Sequence, residues 1–231
     1  MNKDNSYIRY IKRRIYLDKG NYVISFTGHP GTGKSLAAID LCLTADPTFD
    51  MSRVCFTIKD FFNLMLELDE AGNKVGKAIM LDEAGVAGNS KKAMYSEQVA
   101  YEEILKMMRF KRNLFVITSP GFNDYIKGGR LLVDSWIHFE LTNKLKAWKK
   151  RYKKTFATLR ILKLNQYNNK VYNTRMQTGD GNVIDQVIFD LPPPNLVKEY
   201  ENRKSKNFGN KLRENLAIIQ RKELKIRVMG R

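Results

Sequence analysis

The chain has 231 residues, 43% hydrophobic, 11% aromatic and 28% charged, which is globular composition with ample core and excludes a fibrous or disordered chain. Its 41 Lys and Arg outnumber 24 Asp and Glu, for a formal net charge of +17, and the excess is segregated. Residues 1–140 carry 19 basic and 17 acidic side chains, whereas residues 141–231 carry 22 and 7. A block this cationic is expected to meet a polyanion, with nucleic acid ahead of an anionic membrane surface. No apolar run approaches the ~20 residues that cross a bilayer, and none of signal-peptide length follows Arg9, Lys12, Arg13 and Arg14. The expectation is a cytoplasmic protein without stable membrane insertion.

In chain order, residues 22–27 form a β-rich run ending at glycine, and residues 34–44 read as a helix. Residues 53–58 are expected as a second buried strand. Asp60 would cap the helix that follows, where Phe61, Phe62, Leu64, Met65 and Leu68 recur at helical spacing. Residues 78–81 are a third strand, ending in Asp82-Glu83. Residues 96–112 read as a helix with Val99, Ile104, Leu105 and Met108 inward. Residues 114–118 are a fourth strand and 136–141 a fifth. Such alternation predicts an α/β fold, a mostly parallel sheet with helices on both faces. Cys42 and Cys55 show no metal spacing and sit in apolar stretches, as buried reduced thiols do.

From residue 155 the pattern changes. Residues 155–164 and 170–177 flank Asn168-Asn169, the expected tip of a β-hairpin, and 183–189 is another strand. Pro192-Pro193-Pro194 marks a stiff break, followed by a basic helix weakened by Gly209. The predicted division is a core over residues 1–142 and a basic β-hairpin with helical extension over 143–231.

Gly28-His29-Pro30-Gly31-Thr32-Gly33-Lys34-Ser35 fits the phosphate-loop pattern G-x-x-x-x-G-K-[ST] between a strand and an apolar helix. Gly28, Gly31 and Gly33 free the backbone to turn its N–H groups toward phosphates, and the helix N-terminus adds positive charge. Lys34 would reach the β- and γ-phosphates of ATP, and the Ser35 hydroxyl would ligate Mg²⁺. His29, Pro30 and Thr32 complete the loop, His29 at a variable position without a separate role. Asp82 and Glu83 close an apolar strand at the end that faces the ligand crevice in an α/β sheet. Asp82 would hold the metal and Glu83 would deprotonate the attacking water.

The loop, the acid pair and the strand ending Val116-Ile117-Thr118-Ser119-Pro120 resemble the additional-strand, catalytic-glutamate branch of P-loop ATPases. Within it, the stretch Arg109-Phe110-Lys111-Arg112-Asn113-Leu114-Phe115-Val116-Ile117-Thr118-Ser119 is similar to the FtsK–HerA group and the related Zot-like ATPases of viruses and plasmids. The resemblance covers residues 20–142. It implies a RecA/FtsK-like core, assembly as a homo-oligomer, and Ser119 at the γ-phosphate sensor position, where the group usually places glutamine. It also implies an arginine finger acting across a subunit boundary, with Arg109, Arg112 and Arg130 as candidates. Serine reaches less far than glutamine, which keeps an AAA+-like replication factor or helicase loader as an alternative.

Lys144, Lys146, Lys149, Lys150, Arg151, Lys153 and Lys154 lie within eleven residues, interleaved with Trp148 and Tyr152. Cations neutralise phosphates and aromatics stack on bases, so this stretch is expected to bind DNA without reading its sequence. Leu212, Leu216 and Ile219 form a short apolar stripe suited to packing on the core or on a neighbouring subunit. The function expected is an ATP-hydrolysing DNA motor for packaging or translocation in a virus or plasmid. The alternatives are the replication factor or loader and a Zot-like morphogenesis ATPase.

Overall fold

The computed structural model describes residues 6–72, 75–82, 99, 103, 106, 111–122, 127–140, 151–165, 167–168 and 170–229. Two compact units divide at Pro192–Pro193, whereas sequence placed the division at 142/143. The reason lies in the strands that follow the parallel block, which hydrogen-bond onto it and lengthen the same sheet.

The first unit opens with α1 (Ser6–Tyr16), which sequence analysis treated only as charged residues. Tyr7, Ile8, Ile11 and Ile15 fall on one helical face and are buried, while Arg9, Lys12, Arg13 and Arg14 take the other positions. Then come β1 (Tyr22–Gly28), α2 (Lys34–Ala45), a 3₁₀ turn (Met51–Arg53), β2 (Val54–Cys55), α3 (Ile58–Glu70), β3 (Ala78–Leu81) and β4 (Leu114–Ser119). A short helix α4 (Lys127–Leu131), also unforeseen, leads to β5 (Ser135–Phe139). The antiparallel part consists of β6 (Lys154–Asn165), β7 (Lys170–Thr174), β8 (Met176–Gln177), β9 (Val183–Ile184) and β10 (Gln186–Asp190).

The eight-stranded sheet runs β10-β6-β5-β1-β4-β3-β2, with β7 pairing to β6, and β8 and β9 form a separate ladder. The five strands from β5 to β2 are parallel, so their C-terminal ends share one edge. Every residue of β1 is buried, as a central strand covered on both faces requires. One face carries Val23, Ile79, Leu81, Phe115 and Ile117 against Ile58, Phe61 and Met65 of α3. The other is covered by α2, which packs against β1, β3 and β4 and is flanked by α1. The expected α/β architecture is therefore present.

Two expectations near β2 are corrected. The strand covers only Val54–Cys55, because Met51–Arg53 turns as a 3₁₀ helix and Ile58 already begins α3. The cap of α3 is Thr57 rather than Asp60. The Thr57 hydroxyl accepts from the Asp60 amide at 3.0 Å, and the Asp60 carboxylate returns the bond to the Thr57 amide at 3.1 Å. This reciprocal box satisfies two helix-end donors at once. Of the helix expected over residues 96–112, Val99, Glu103 and Lys106 are helical, whereas Ile104, Leu105 and Met108 lie outside the described residues.

A buried ion pair ties this region to β3. Arg53 donates to Asp46 at 2.5 Å, with both side chains under a tenth exposed. The same carboxylate accepts from the Thr48 hydroxyl (2.7 Å), the Thr48 amide (2.9 Å) and the Ala78 amide at the start of β3 (3.1 Å). Burial alone would raise the Asp46 carboxyl, but its bonds from Thr48, Arg53 and Ala78 outweigh that and hold it below the usual carboxylate range. The second unit is the single helix α5 (Pro194–Met229), which runs through Gly209 without a break. Phe208, Leu212, Leu216 and Ile219 on it are exposed.

A carboxyl depressed in the folded state adds stability above its unfolded value, about 3.9, and that stability disappears as pH falls through the folded value. Asp46→Asn is expected to lower stability at pH 7 by about 3 kcal/mol, because it strands a buried guanidinium. It should also flatten the loss of stability below about pH 5. Urea unfolding at several pH values checks both, and an unchanged acid limb in the variant would exclude Asp46 as its source.

Candidate nucleotide site

The site forms where the C-terminal ends of β1, β3 and β4 meet α2. β1 ends at Gly28, whose φ of 142° suits glycine; Gly31 (80°) and Gly33 (98°) also lie in the left-handed region. At Gly28 the requirement is also steric, because a Cβ there would fall on the Phe139 carbonyl oxygen of β5. Stacked beneath are Phe26 and Phe139, 5.4 Å between ring centroids, with Phe189 of β10 5.6 Å from Phe26. The loop therefore rests on an aromatic layer that spans β1, β5 and β10.

Within the loop, Thr32 Oγ1 donates to the His29 carbonyl at 2.9 Å and fixes the turn. Gly33 precedes α2 in the left-handed region and no side chain caps that helix. Its first turn thus presents backbone N–H groups and the positive end of its dipole toward the loop. Lys34 Nζ folds back over the loop, donating to the carbonyls of Gly28 (2.5 Å) and His29 (2.9 Å). The arrangement is a cradle lined by donors, with an ammonium held at its mouth.

Asp82 follows β3 and is fully buried. Its Oδ1 accepts from Ser35 Oγ at 2.8 Å and from Thr118 Oγ1 at 2.7 Å. A buried carboxylate with two hydroxyls on one oxygen is an all-oxygen donor set, the kind that Mg²⁺ prefers. Among the described residues no group of three His, Cys, Asp or Glu side chains clusters to hold a metal. Mg²⁺ takes one or two protein oxygens and leaves its other positions to phosphate and water. Ser35 and Asp82 fit the ion, and the two residues predicted to share it are in hydrogen-bond contact.

β4 lies between β1 and β3, with Thr27 opposite Ser119 and Leu81 opposite Ile117. A glycine loop entering α2, and a buried aspartate one strand removed across β4, define the fold. It is a P-loop NTPase fold.

No protein-family model matches the sequence, and no curated protein matches it. Among solved structures, the chain is similar to the N-terminal domain of zonular occludens toxin from Neisseria meningitidis. Identity there is 16%, coverage 69% of this chain and 96% of that one, and the TM-score 0.37. A KaiC-like protein from Pyrococcus horikoshii matches at 14% identity over 71% of this chain and 89% of its own, with a TM-score of 0.42. The genome packaging NTPase B204 from Sulfolobus turreted icosahedral virus 2, in complex with ATP-gammaS, matches at 11% identity over 67% and 97%, with a TM-score of 0.35. Likenesses this distant carry nothing about substrate or partner.

The remaining predicted residues divide. Ser119 ends β4 at the crevice, fully buried, and its hydroxyl donates to the Gly121 carbonyl at 2.9 Å. Arg112 lies at the end of the sheet away from the phosphate loop. It precedes β4 at the opposite edge of the sheet, where its left-handed backbone (φ 56°) offers its carbonyl to Gly76 at 2.9 Å. Arg130 sits on α4, likewise ahead of the N-terminal end of β5. Glu83, Arg109, Lys144, Lys146, Lys149 and Lys150 lie outside the described residues. Arg151 and Lys153 are exposed, with the Arg151 guanidinium 5.3 Å from the Tyr152 ring centroid. Lys154 pairs instead with Asp190, its cross-strand partner in β10, at 3.4 Å.

Thr118, the side chain from β4 that reaches Asp82, is not singled out by the sequence. Two adjacent polar residues end that strand, and alternation sends one to each face. Only the sheet order says which face holds the aspartate. Nor does the sequence single out the brace beside the loop, in which Thr27 Oγ1 accepts from Trp136 Nε1 at 2.6 Å and bonds His138 Nδ1 at 2.9 Å. This brace ties the end of β1 to β5.

Thr118→Val removes the hydroxyl while keeping the shape. Orienting partners of metal ligands contribute about 10- to 100-fold in metal affinity. The variant is expected to weaken binding of a fluorescent ATP analogue about tenfold in the presence of Mg²⁺ and hardly at all in EDTA. Equal loss in both conditions would mean that Thr118 serves packing alone.

Proposed function

We propose that the chain is an ATP-hydrolysing DNA motor, acting as a homo-oligomer in the packaging or translocation of a viral or plasmid genome. The hydrolytic half is carried by the Ser35–Asp82 hydrogen bond of 2.8 Å, which joins the phosphate loop to the end of β3. Ser35 Oγ and Asp82 Oδ1, which meet there, are the oxygens that would hold Mg²⁺. Mg²⁺, when bound, neutralises charge that develops on the phosphate oxygens.

The chain's own groups supply the rest. The donors of residues 28–35 hold the triphosphate, and Lys34 exchanges its loop carbonyls for phosphate oxygens. Thr118 fixes the carboxylate of Asp82. Glu83, the next residue, is the base that takes the proton of the attacking water. The placement of β4 between β1 and β3 supports the additional-strand branch.

Charge supports the DNA half. Residues 141–179 contain eleven Lys and Arg and not one Asp or Glu. The described residues that flank it, Phe139 at the end of β5 and Lys154 at the start of β6, lie at the crevice edge of the sheet, which supports DNA bound near the phosphate loop. Contacts through such cations fall steeply with salt and read no sequence.

ATPase rates measured with no DNA, single-stranded DNA and duplex at low salt test the reading. DNA is expected to stimulate turnover, and Glu83→Gln to lower it by about 10²- to 10⁴-fold, the usual contribution of a general base, while nucleotide still binds. Turnover indifferent to DNA at low salt overturns the motor, and full turnover in Glu83→Gln overturns the assigned base.

A further inference from the structure

The long strand β6 (Lys154–Asn165) does two things along its length. Its first residues pair with β10, and its middle pairs with β5, where His138 lies opposite Thr158 and Ser135 opposite Ile161. Antiparallel to β5, it starts at the crevice edge and runs out past the first residue of β5. Twelve residues at about 3.3 Å each carry it about 40 Å. Beyond Ile161 its described partner is β7, with Lys163 opposite Tyr172, Leu164 opposite Val171 and Asn165 opposite Lys170. The two-stranded tip thus stands at the end of the sheet farthest from the phosphate loop.

Its side chains are unusual for a solvent-exposed ribbon. Lys163, Tyr172 and Lys170 occupy alternate register positions and so share one face. Tyr167 at the turn is completely exposed, and Tyr172 is about half exposed (48%). Single exposed apolar side chains are ordinary, but two tyrosines grouped with lysines at one tip suit stacking on bases. The turn that presents them is braced. Asn165 Oδ1 accepts from the Tyr167 amide at 2.9 Å and Asn168 Oδ1 from the Lys170 amide at 3.0 Å. Asn168 Nδ2 donates to the Tyr172 hydroxyl at 3.1 Å. A braced tip loses little conformational freedom when it binds.

Charge selects the partner. No acidic residue occurs between Glu140 and Asp180, and among the described residues no carboxylate pairs with Lys163 or Lys170. Two tyrosines with two flanking lysines and no acid form a stacking platform beside phosphate-binding cations. Duplex DNA keeps its base faces stacked on one another, so only an unpaired strand offers those faces. We infer that the tip of the β6–β7 hairpin binds single-stranded nucleic acid, Tyr167 and Tyr172 stacking on bases while Lys163 and Lys170 hold the backbone. The inference rests on the reading that the basic half of the chain meets nucleic acid, and adds a contact at the end of β6 remote from Lys154.

The test is fluorescence anisotropy of the full chain with labelled oligo-dT and with a duplex of equal length. Tyr167→Ala/Tyr172→Ala is expected to weaken oligo-dT binding by about tenfold per tyrosine, near the low end of a base–aromatic stack, and to leave duplex binding and the melting temperature unchanged. Tyr167→Phe should restore the affinity in full, and Tyr172→Phe all but the part owed to the bond from Asn168. Lys163→Ala/Lys170→Ala should lower the slope of log K against log salt by about 1.4, from two phosphates at about 0.7 each.

Wild-type binding that survives the double alanine variant overturns the hairpin assignment and leaves the DNA reading standing. Displacement of oligo-dT by polyglutamate at equal charge concentration overturns it too, in favour of a plain anion-binding surface. If wild type binds neither oligonucleotide at low salt, the reading beneath it falls as well. Tyrosine-dependent oligo-dT binding with an ATPase indifferent to DNA upholds the hairpin and overturns the motor alone.

Discussion

The carboxylate of Asp82 is buried at the end of β3, and the geometry of the site depends on how its charge is held. Burying an isolated carboxylate is costly, and here two hydroxyls from two different elements converge on one oxygen, Ser35 from α2 and Thr118 from β4. Each bond needs a particular strand order. If β3 lay beside β1, Thr118 would not stand between them. The requirement that one buried oxygen be satisfied thus couples the phosphate-loop helix, the inserted strand and the acid-bearing strand into one unit.

Around it the sheet supplies stiffness where the loop has none. Gly28 tolerates its backbone angle and its closeness to Phe139 because it lacks a side chain. The same freedom would leave the loop loose without the Phe26, Phe139 and Phe189 layer below it and the Thr27, His138 and Trp136 brace beside it. At the start of β3, the Asp46–Arg53 pair anchors the strand whose other end carries Asp82. Rigid strands and a bare glycine loop are complementary: the strands fix the donors in space, and the loop lets a phosphate approach the backbone.

The antiparallel half has a different logic. Its central strand belongs to the sheet along most of its length, so the basic region is continuous with the nucleotide-binding core through β6 rather than tethered by a linker. One end of β6 lies at the crevice edge and the other carries the exposed tyrosines, so the two ends present cations to different surroundings.

Sequence by itself determined the local features. The phosphate loop was legible because its chemistry lies within eight consecutive residues, and the buried strands because apolar runs bounded by glycine and acid pairs have few other uses. The hairpin and the charge block were legible for the same reason. The second strand was overextended because Arg53, Phe56 and Ile58 look like strand residues until the pairing of Arg53 with Asp46 and the capping box at Thr57 claim them. The first helix was passed over because its four apolar residues gain meaning only when β1 and α2 provide a surface to bury them. Tertiary structure alone decided that Thr118 and not Ser119 meets Asp82, that Arg112 lies at the far edge, and that the basic hairpin extends the main sheet. Each of these depends on which strand lies beside which, and strand order is set by packing between residues far apart in the chain, which no local pattern encodes.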